Sequence, residues 1–415
     1  CPHFKSEYRK YKQSDYTIYK ALCEFIDNII KKCTDMKIEI EVTPCGKLRN
    51  ITISDNYKPG FDNIEKEGID NPFNMGHMRS GQDNDDEMSQ FGIGMKAGAI
   101  STAEKMWVYT RVKNIYYRIE MDFIDMTKIE NPIESFNPKM FVISEAEYKE
   151  KHPFKYGSSI RLTEINDNIY NTTTLELFKG DIKNKLEEIY GDLIKEGKKI
   201  YINETLLTYK QSYFEDAECI PFNRKMDIYQ LFDESIKKNR FIANIKSNID
   251  GKQIIKEYIP EESKLKDIKP NIFNKLFTDE TIKFTYNFSE NYKECIRVES
   301  TFTLYHKKFY KSCETVGNMP SNCILINRGG RQYGNWYKEK KNNGTDNFTY
   351  TRADLHSKQL ANSLGLTFNK NISRHNKNDI CYALNNFIDF FNREIKGDTS
   401  SKTNDKLYEI AQKNN

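Results

Sequence analysis

Between Tyr16 and Cys33 the apolar residues Ile18, Leu22, Phe25, Ile26, Ile29 and Ile30 recur at helical spacing, and two polar residues, Glu24 and Asn28, stand four apart inside the same run. A stripe of that width has to be buried, so the segment is committed to the core of a globular unit. Glu24 and Asn28 share a helix face, about 6 Å apart along the axis, and Asp27 lies beside them. Directly afterwards, Lys37 to Val42 alternates with period two, Cys45-Gly46-Lys47 makes a turn, and Asn50 to Ser54 alternates again up to Asp55. Helix, strand, turn and strand in that order predict a hairpin laid against a helix.

The pattern continues. Residues 56–87 are polar and rich in Gly, Asn and Asp, a long loop with a short helix near Ile64. Gly94 to Thr102 opens a helix of small residues; Lys105 to Val112, Ile115 to Phe123 and Gly157 to Leu162 alternate as strands. Leu175 to Leu193 is helical and Lys199 to Asn203 forms a last strand of this half. Helices on one side of a mixed or antiparallel sheet make an α+β sandwich. A boundary falls near 203–211. Beyond it, strands are expected at 283–288, 296–305 and 323–327 and helices near Asn362 and over 379–395, while residues from Gly397 onward are polar and fray.

At 415 residues the chain is too long for one ordinary core, so two domains are expected. Lys and Arg number 64 against 60 Asp and Glu, a net charge of +4, so bulk charge does not point to nucleic acid. The nine cysteines form no CxxC pair and lack zinc-finger spacing; they read as buried or incidental thiols of a reducing, intracellular compartment. No apolar run approaches the roughly 20 residues that span a bilayer, and the polar start shows no signal peptide. Opening on Cys1 rather than methionine points to a trimmed start.

Four segments carry chemistry, each with a plainer alternative. A carboxylate at Glu24 facing a cleft can orient or deprotonate water, and the amide oxygen of Asn28 can ligate Mg²⁺; a solvated polar helix face would use the same residues. Asp55 at a strand end can accept from an adenine amine while Gly60 lets the backbone approach the base; Asp-Asn and Pro-Gly also simply form turns. Gly92, Gly94, Lys96 and Gly98, with Ala97 between them, place glycine amides and a cation at a helix start, where anions bind. They match neither a Walker loop nor a dinucleotide fingerprint, and a close-packed glycine turn is the alternative. Gly157-Ser158 opens the next strand. His77 and His152 lack partners at metal spacing and read as loop histidines.

In this order the segments resemble the GHKL ATPase superfamily of gyrase, heat-shock chaperone, histidine kinase and MutL. Glu24-x-x-Asp27-Asn28 resembles its N-box, Asp55 to Gly60 its adenine box, Gly92 to Gly98 its lid glycines, and Gly157-Ser158 its Gly-Thr box. Phe91 to Gly98 looks closest to the MORC branch. The resemblance implies a Bergerat-type ATPase domain over 1–203, a transducer-like (ribosomal-S5-like) α/β domain over 204–396, and a tail over 397–415. It further implies ATP and Mg²⁺ as ligands, with Glu24 as general base and Asn28 as metal ligand. Asp55 would bind the adenine amine, helped through water by Ser158, and Asp27 and Gly60 would line the nucleotide site. Gly92, Gly94, Lys96, Ala97 and Gly98 would hold phosphates under a lid of about 71–90. Two departures stand out. Asp55-Asn-Tyr-Lys-Pro-Gly60 lacks the family's first glycine and carries an extra residue, which alters the loop path, and Ser158 replaces a threonine.

The transducer reading extends to Lys370, in Asn369-Lys370-Asn371, as a lysine reaching the γ-phosphate, and to Asn327-Arg-Gly-Gly-Arg331 as a strand and turn. An exposed lysine and a basic turn are the plain readings of the same residues. The basic loop from Trp336 reads as solvated, with nucleic-acid phosphates as its other possible contact. The resemblance implies an ATP-dependent homodimer clamping double-stranded DNA, with no membrane. Alternatives are a chaperone-like or scaffold protein using ATP as a conformational ligand, a histidine-kinase-like transferase with only His3 upstream of Glu24, and a strand-passing topoisomerase subunit that needs a cleavage partner.

Overall fold

The structure, a computed structural model, describes residues 3–13, 17–44, 46–61, 64, 71–73, 94–131, 134–166, 175–210, 224–233, 238–247, 253–262, 265–270, 286–287, 295–302, 323–337, 349–355, 364 and 379–398. Two compact units divide it, Cys1–Lys210 and Gln211–Asn415.

The first unit opens with α1 (Phe4–Lys12), an element the alternation pattern does not announce. His3 caps it by accepting from the Lys5 N–H, and Phe4 and Tyr11 bury its inner face. The apolar stripe forms α2 (Ile18–Ile29), buried from Ala21 to Asp27. The predicted hairpin is β1 (Asp35–Val42) and β2 (Leu48–Asp55), antiparallel, with Ile38 opposite Ile53 and Ile40 opposite Ile51. Then come α3 (Gly94–Thr102), β3 (Ala103–Val112), β4 (Ile115–Asp122), α4 (Phe123–Met126), β5 (Lys139–Ile143), α5 (Glu145–Lys151) and β6 (Ser158–Ile165). The long helix expected over 175–193 is two, α6 (Leu175–Ile189) and α7 (Gly191–Lys195), broken at Tyr190. β7 (Lys199–Ile202) is followed by a further short strand, β8 (Thr205–Leu206), so the unit runs on to Lys210.

The described strands form one sheet in the order β5-β4-β3-β6-β2-β1-β7-β8. β1 and β7 pair in parallel and the other neighbours antiparallel, which makes the sheet mixed. This order matters because β2 ends where β6 and β1 begin: Asp55 pairs with both Ser158 and Met36. Thr110, near the end of β3, pairs with Ser158 from the other side. One end of the sheet therefore gathers Asp55, Ser158, Thr110 and the chain arriving from α2.

The second unit holds β9 (Arg224–Asp233), β10 (Lys238–Ser247), β11 (Gln253–Tyr258), β12 (Leu265–Asp267), β13 (Tyr286–Asn287), β14 (Cys295–Phe302), β15 (Cys323–Arg328), β16 (Arg331–Tyr337), β17 (Thr349–Leu355) and α8 (Asp379–Asp398). Its sheet runs β12-β11-β10-β9-β14-β17-β15-β16, with β13 paired to β9, and Phe387 of α8 meets Tyr258 of β11 edge-on. Gly329 and Gly330, at φ 59° and 81°, make the two-residue turn between β15 and β16, a turn that needs positive φ at both positions. Arg328 and Arg331 on either side are buried, not displayed as a basic turn. The strand expected over 283–288 is described only at Tyr286–Asn287.

Cys23, Cys33 and Cys381 are buried thiols outside any disulfide. Among the described residues no helix is long and apolar enough to cross a membrane.

Candidate functional site

Glu24 is buried on α2, and the start of α3 passes directly over it. A Cβ on Gly94 would lie 2.0 Å from Glu24 Oε2, so a larger residue there would displace the carboxylate from where it meets the first turn of α3. One turn on, a Cβ on Gly98 would lie 3.1 Å from the Ala21 carbonyl and 3.4 Å from Glu24 Cβ. The glycine spacing thus builds a flat helix face that seats α3 on α2. Amides unsatisfied within a helix belong to its first turn, here Gly94 to Lys96, whereas Gly98 serves the helix contact. Ala97 is buried on α3.

Lys96 is almost completely buried in that first turn, and burial pushes its ammonium down to about 7. The dipole of α3 favours a negatively charged ligand at this helix start, in the same turn as Lys96.

Asn28 Nδ2 donates to the Glu24 carbonyl at 2.7 Å. A carbonyl only accepts, which fixes the amide orientation and leaves Oδ1, the hard-cation end, directed away from the helix backbone. Among the described residues no three His, Cys, Asp or Glu gather to hold a metal. The donor set suits a magnesium ion held by Asn28 together with phosphate and water oxygens, the usual manner of that ion.

Asp55 closes β2. Its Oδ1 accepts from the Tyr57 N–H at 2.8 Å. Burial drives its carboxyl up to about 7, against the pull of the Tyr57 and Ser158 N–H groups. Gly157, at φ 113°, lies so close that a Cβ would sit 1.9 Å from the Asp55 carbonyl oxygen. Gly60, at φ 62°, is similarly confined: a Cβ there would lie 2.5 Å from the Arg111 carbonyl oxygen and 2.6 Å from Thr110 Oγ1.

Thr110 joins these pieces, a role the alternation of β3 does not disclose. Its hydroxyl accepts from the Phe61 N–H at 3.1 Å and lies 2.8 Å from Ser158 Oγ. The turn at Gly60-Phe61 and the Gly157-Ser158 turn are thereby tied through one buried side chain. Tyr190 is the second residue the sequence conceals: its hydroxyl donates to Asp27 Oδ1 at 2.7 Å, with the Cys23 carbonyl at 3.3 Å. Asp27 is therefore engaged with the chain between α6 and α7. His152 corrects an expectation. It is no loop histidine but a buried cap of α5, and burial pushes it down to about 4.

The structure thus brings Glu24, Gly94, Lys96 and Gly98 together on α2 and α3, and Asp55, Gly60 and Ser158 together at the sheet end that receives α2. Gly92, Lys370, His77 and nearly all of the expected lid lie outside the described residues. No curated protein matches the chain. Residues 16–151, which hold the helix pair and Asp55, match the family described as Histidine kinase-, DNA gyrase B-, and HSP90-like ATPase.

Proposed function

We propose that the first unit binds Mg-ATP and hydrolyses it. The observation that carries this reading is the passage of Gly94 over the Glu24 carboxylate, which sets an anion-binding helix start and a buried base side by side. Asp55 accepts from the adenine amine, with Ser158 and Thr110 completing that edge. Lys96 and the first-turn amides of α3 hold the phosphates, extended by Gly92 where the chain enters the helix. Glu24 orients a water in line with the γ-phosphorus and takes its proton as the water oxygen bonds to phosphorus and the bond to the β–γ bridging oxygen breaks. A magnesium ion on Asn28 would neutralise phosphate charge when bound. Asp27, held by Tyr190, fixes the rotation of α2.

We further assign the second unit, residues 211–396, as the transducer-like domain, and the whole as a MORC-type ATP-gated homodimeric clamp on double-stranded DNA inside the cell. The resemblance of Phe91 to Gly98 and of Asn327 to Arg331 supports this part. Glu24→Ala is expected to lower ATP turnover about 100-fold or more while nucleotide binding stays within a few fold. Undiminished turnover would remove Glu24 from its role, and tight binding without turnover in the wild-type chain would favour the scaffold reading.

A further inference from the structure

α5 is polar along most of its length, yet Tyr148 on it and His152 at its cap are buried with their rings in tilted contact, centroids 4.8 Å apart. Both address the same turn. The Tyr148 hydroxyl donates to the Gly157 carbonyl at 3.0 Å, and His152 Nε2 lies 2.8 Å from the Tyr156 carbonyl. Because a carbonyl only accepts, Nε2 carries the proton. His152 Nδ1, 2.7 Å from Ser159 Oγ, is then the acceptor, and Ser159 donates to it. Ser159 Oγ in turn accepts from Ser54 Oγ at 2.7 Å. One tautomer of a neutral imidazole satisfies the whole chain from Ser54 to the Tyr156 carbonyl.

Ser54 and Ser159 are the register pair next to Asp55 and Ser158. Side chains alternate across a sheet, so His152 grips from one face the strand ends whose other face presents Asp55 and Ser158. Its ring also meets Phe154, 5.8 Å away.

We propose that His152 is a positioning residue for base selection: by pinning Tyr156, Ser159 and, through Ser159, Ser54, it holds Asp55 and Ser158 in the spacing that accepts adenine and rejects guanine. A guanine presents a 6-oxo group where adenine presents an amine, and a carboxylate that cannot shift repels it. The inference rests on the adenine reading of Asp55 above.

The test titrates ATP, GTP and inorganic triphosphate into the full chain. His152→Phe keeps an aromatic ring against Tyr148 and Phe154 and deletes both hydrogen bonds; His152→Gln retains a donor and an acceptor. His152→Phe is expected to weaken ATP and narrow the ATP-over-GTP preference about tenfold, leave triphosphate affinity unchanged, and be largely rescued by His152→Gln. Ser159→Ala, which cuts the same chain at one hydroxyl, should narrow the preference likewise and serves if the Phe variant does not fold. An unchanged preference, or equal weakening of ATP and triphosphate, overturns the inference alone. A wild-type chain that binds triphosphate but shows no preference for ATP overturns the adenine reading and this inference with it.

Discussion

Two ionisable groups sit at opposite ends of the proposed nucleotide site, and desolvation displaces each to about 7, Asp55 upward and Lys96 downward. Their signs oppose. An adenine amine favours the ionised Asp55, so below about 7 binding of the base must expel a proton and adenosine affinity falls by up to about tenfold per pH unit. Phosphate favours the charged Lys96, so above about 7 binding must take up a proton and inorganic triphosphate affinity falls by a similar factor. Titrating adenosine and triphosphate separately across this range should give curves bending in opposite directions. Parallel curves would contradict the division of the site into a base end at Asp55 and a phosphate end at Lys96. The identities of these residues are legible in the sequence because each stands at the end of a periodic run, Asp55 after alternating isoleucines and Lys96 among spaced glycines. Their desolvation is not, since it depends on neighbours distant in the chain. Thr110 and His152 are hidden for the same reason: one is an ordinary position in an alternating strand, the other ends a charged helix with no apolar stripe.

At the scale of elements, α2 is fixed twice, by the glycine face of α3 and by Tyr190 between α6 and α7. The first contact is written in the glycine spacing. The second needs the helix to break at Tyr190, where continuous helical periodicity predicts none. Removing the hydroxyl leaves Asp27 buried without that donor, so Tyr190→Phe should cost about 1–3 kcal/mol in urea unfolding; an unchanged midpoint would show that α2 does not depend on this link. The far side of α6 closes the unit. Glu187 is buried there and, although burial opposes ionisation, Lys183, the Thr208 N–H and hydroxyl, and Lys210 hold its carboxyl down to about 2. That cluster ties residues 208–210 to α6 and explains why the unit extends past β8. The hairpin of β1 and β2 is readable from alternation alone, whereas the order β3-β6-β2 brings Asn50 opposite Thr163, far apart in the chain, and nothing local encodes such pairings.

At the scale of the molecule, the second unit is the less legible half. Its sheet brings β14 beside β9 and β17 beside β15, pairings that cross long stretches of polar sequence. An ATP-gated clamp predicts that a non-hydrolysable ATP analogue doubles the mass seen by light scattering and that removing it restores the monomer. A mass that ignores the nucleotide would contradict the clamp while leaving ATP binding intact. All of this depends on adenine and phosphate being held by one unit at once. The most direct measurement is calorimetric titration of the wild-type chain and its Asp55→Ala variant with a non-hydrolysable ATP analogue and magnesium. The account predicts one nucleotide bound per wild-type chain and affinity reduced at least about tenfold in the variant. No heat of binding to the wild-type chain, or equal affinity in the two, would contradict it.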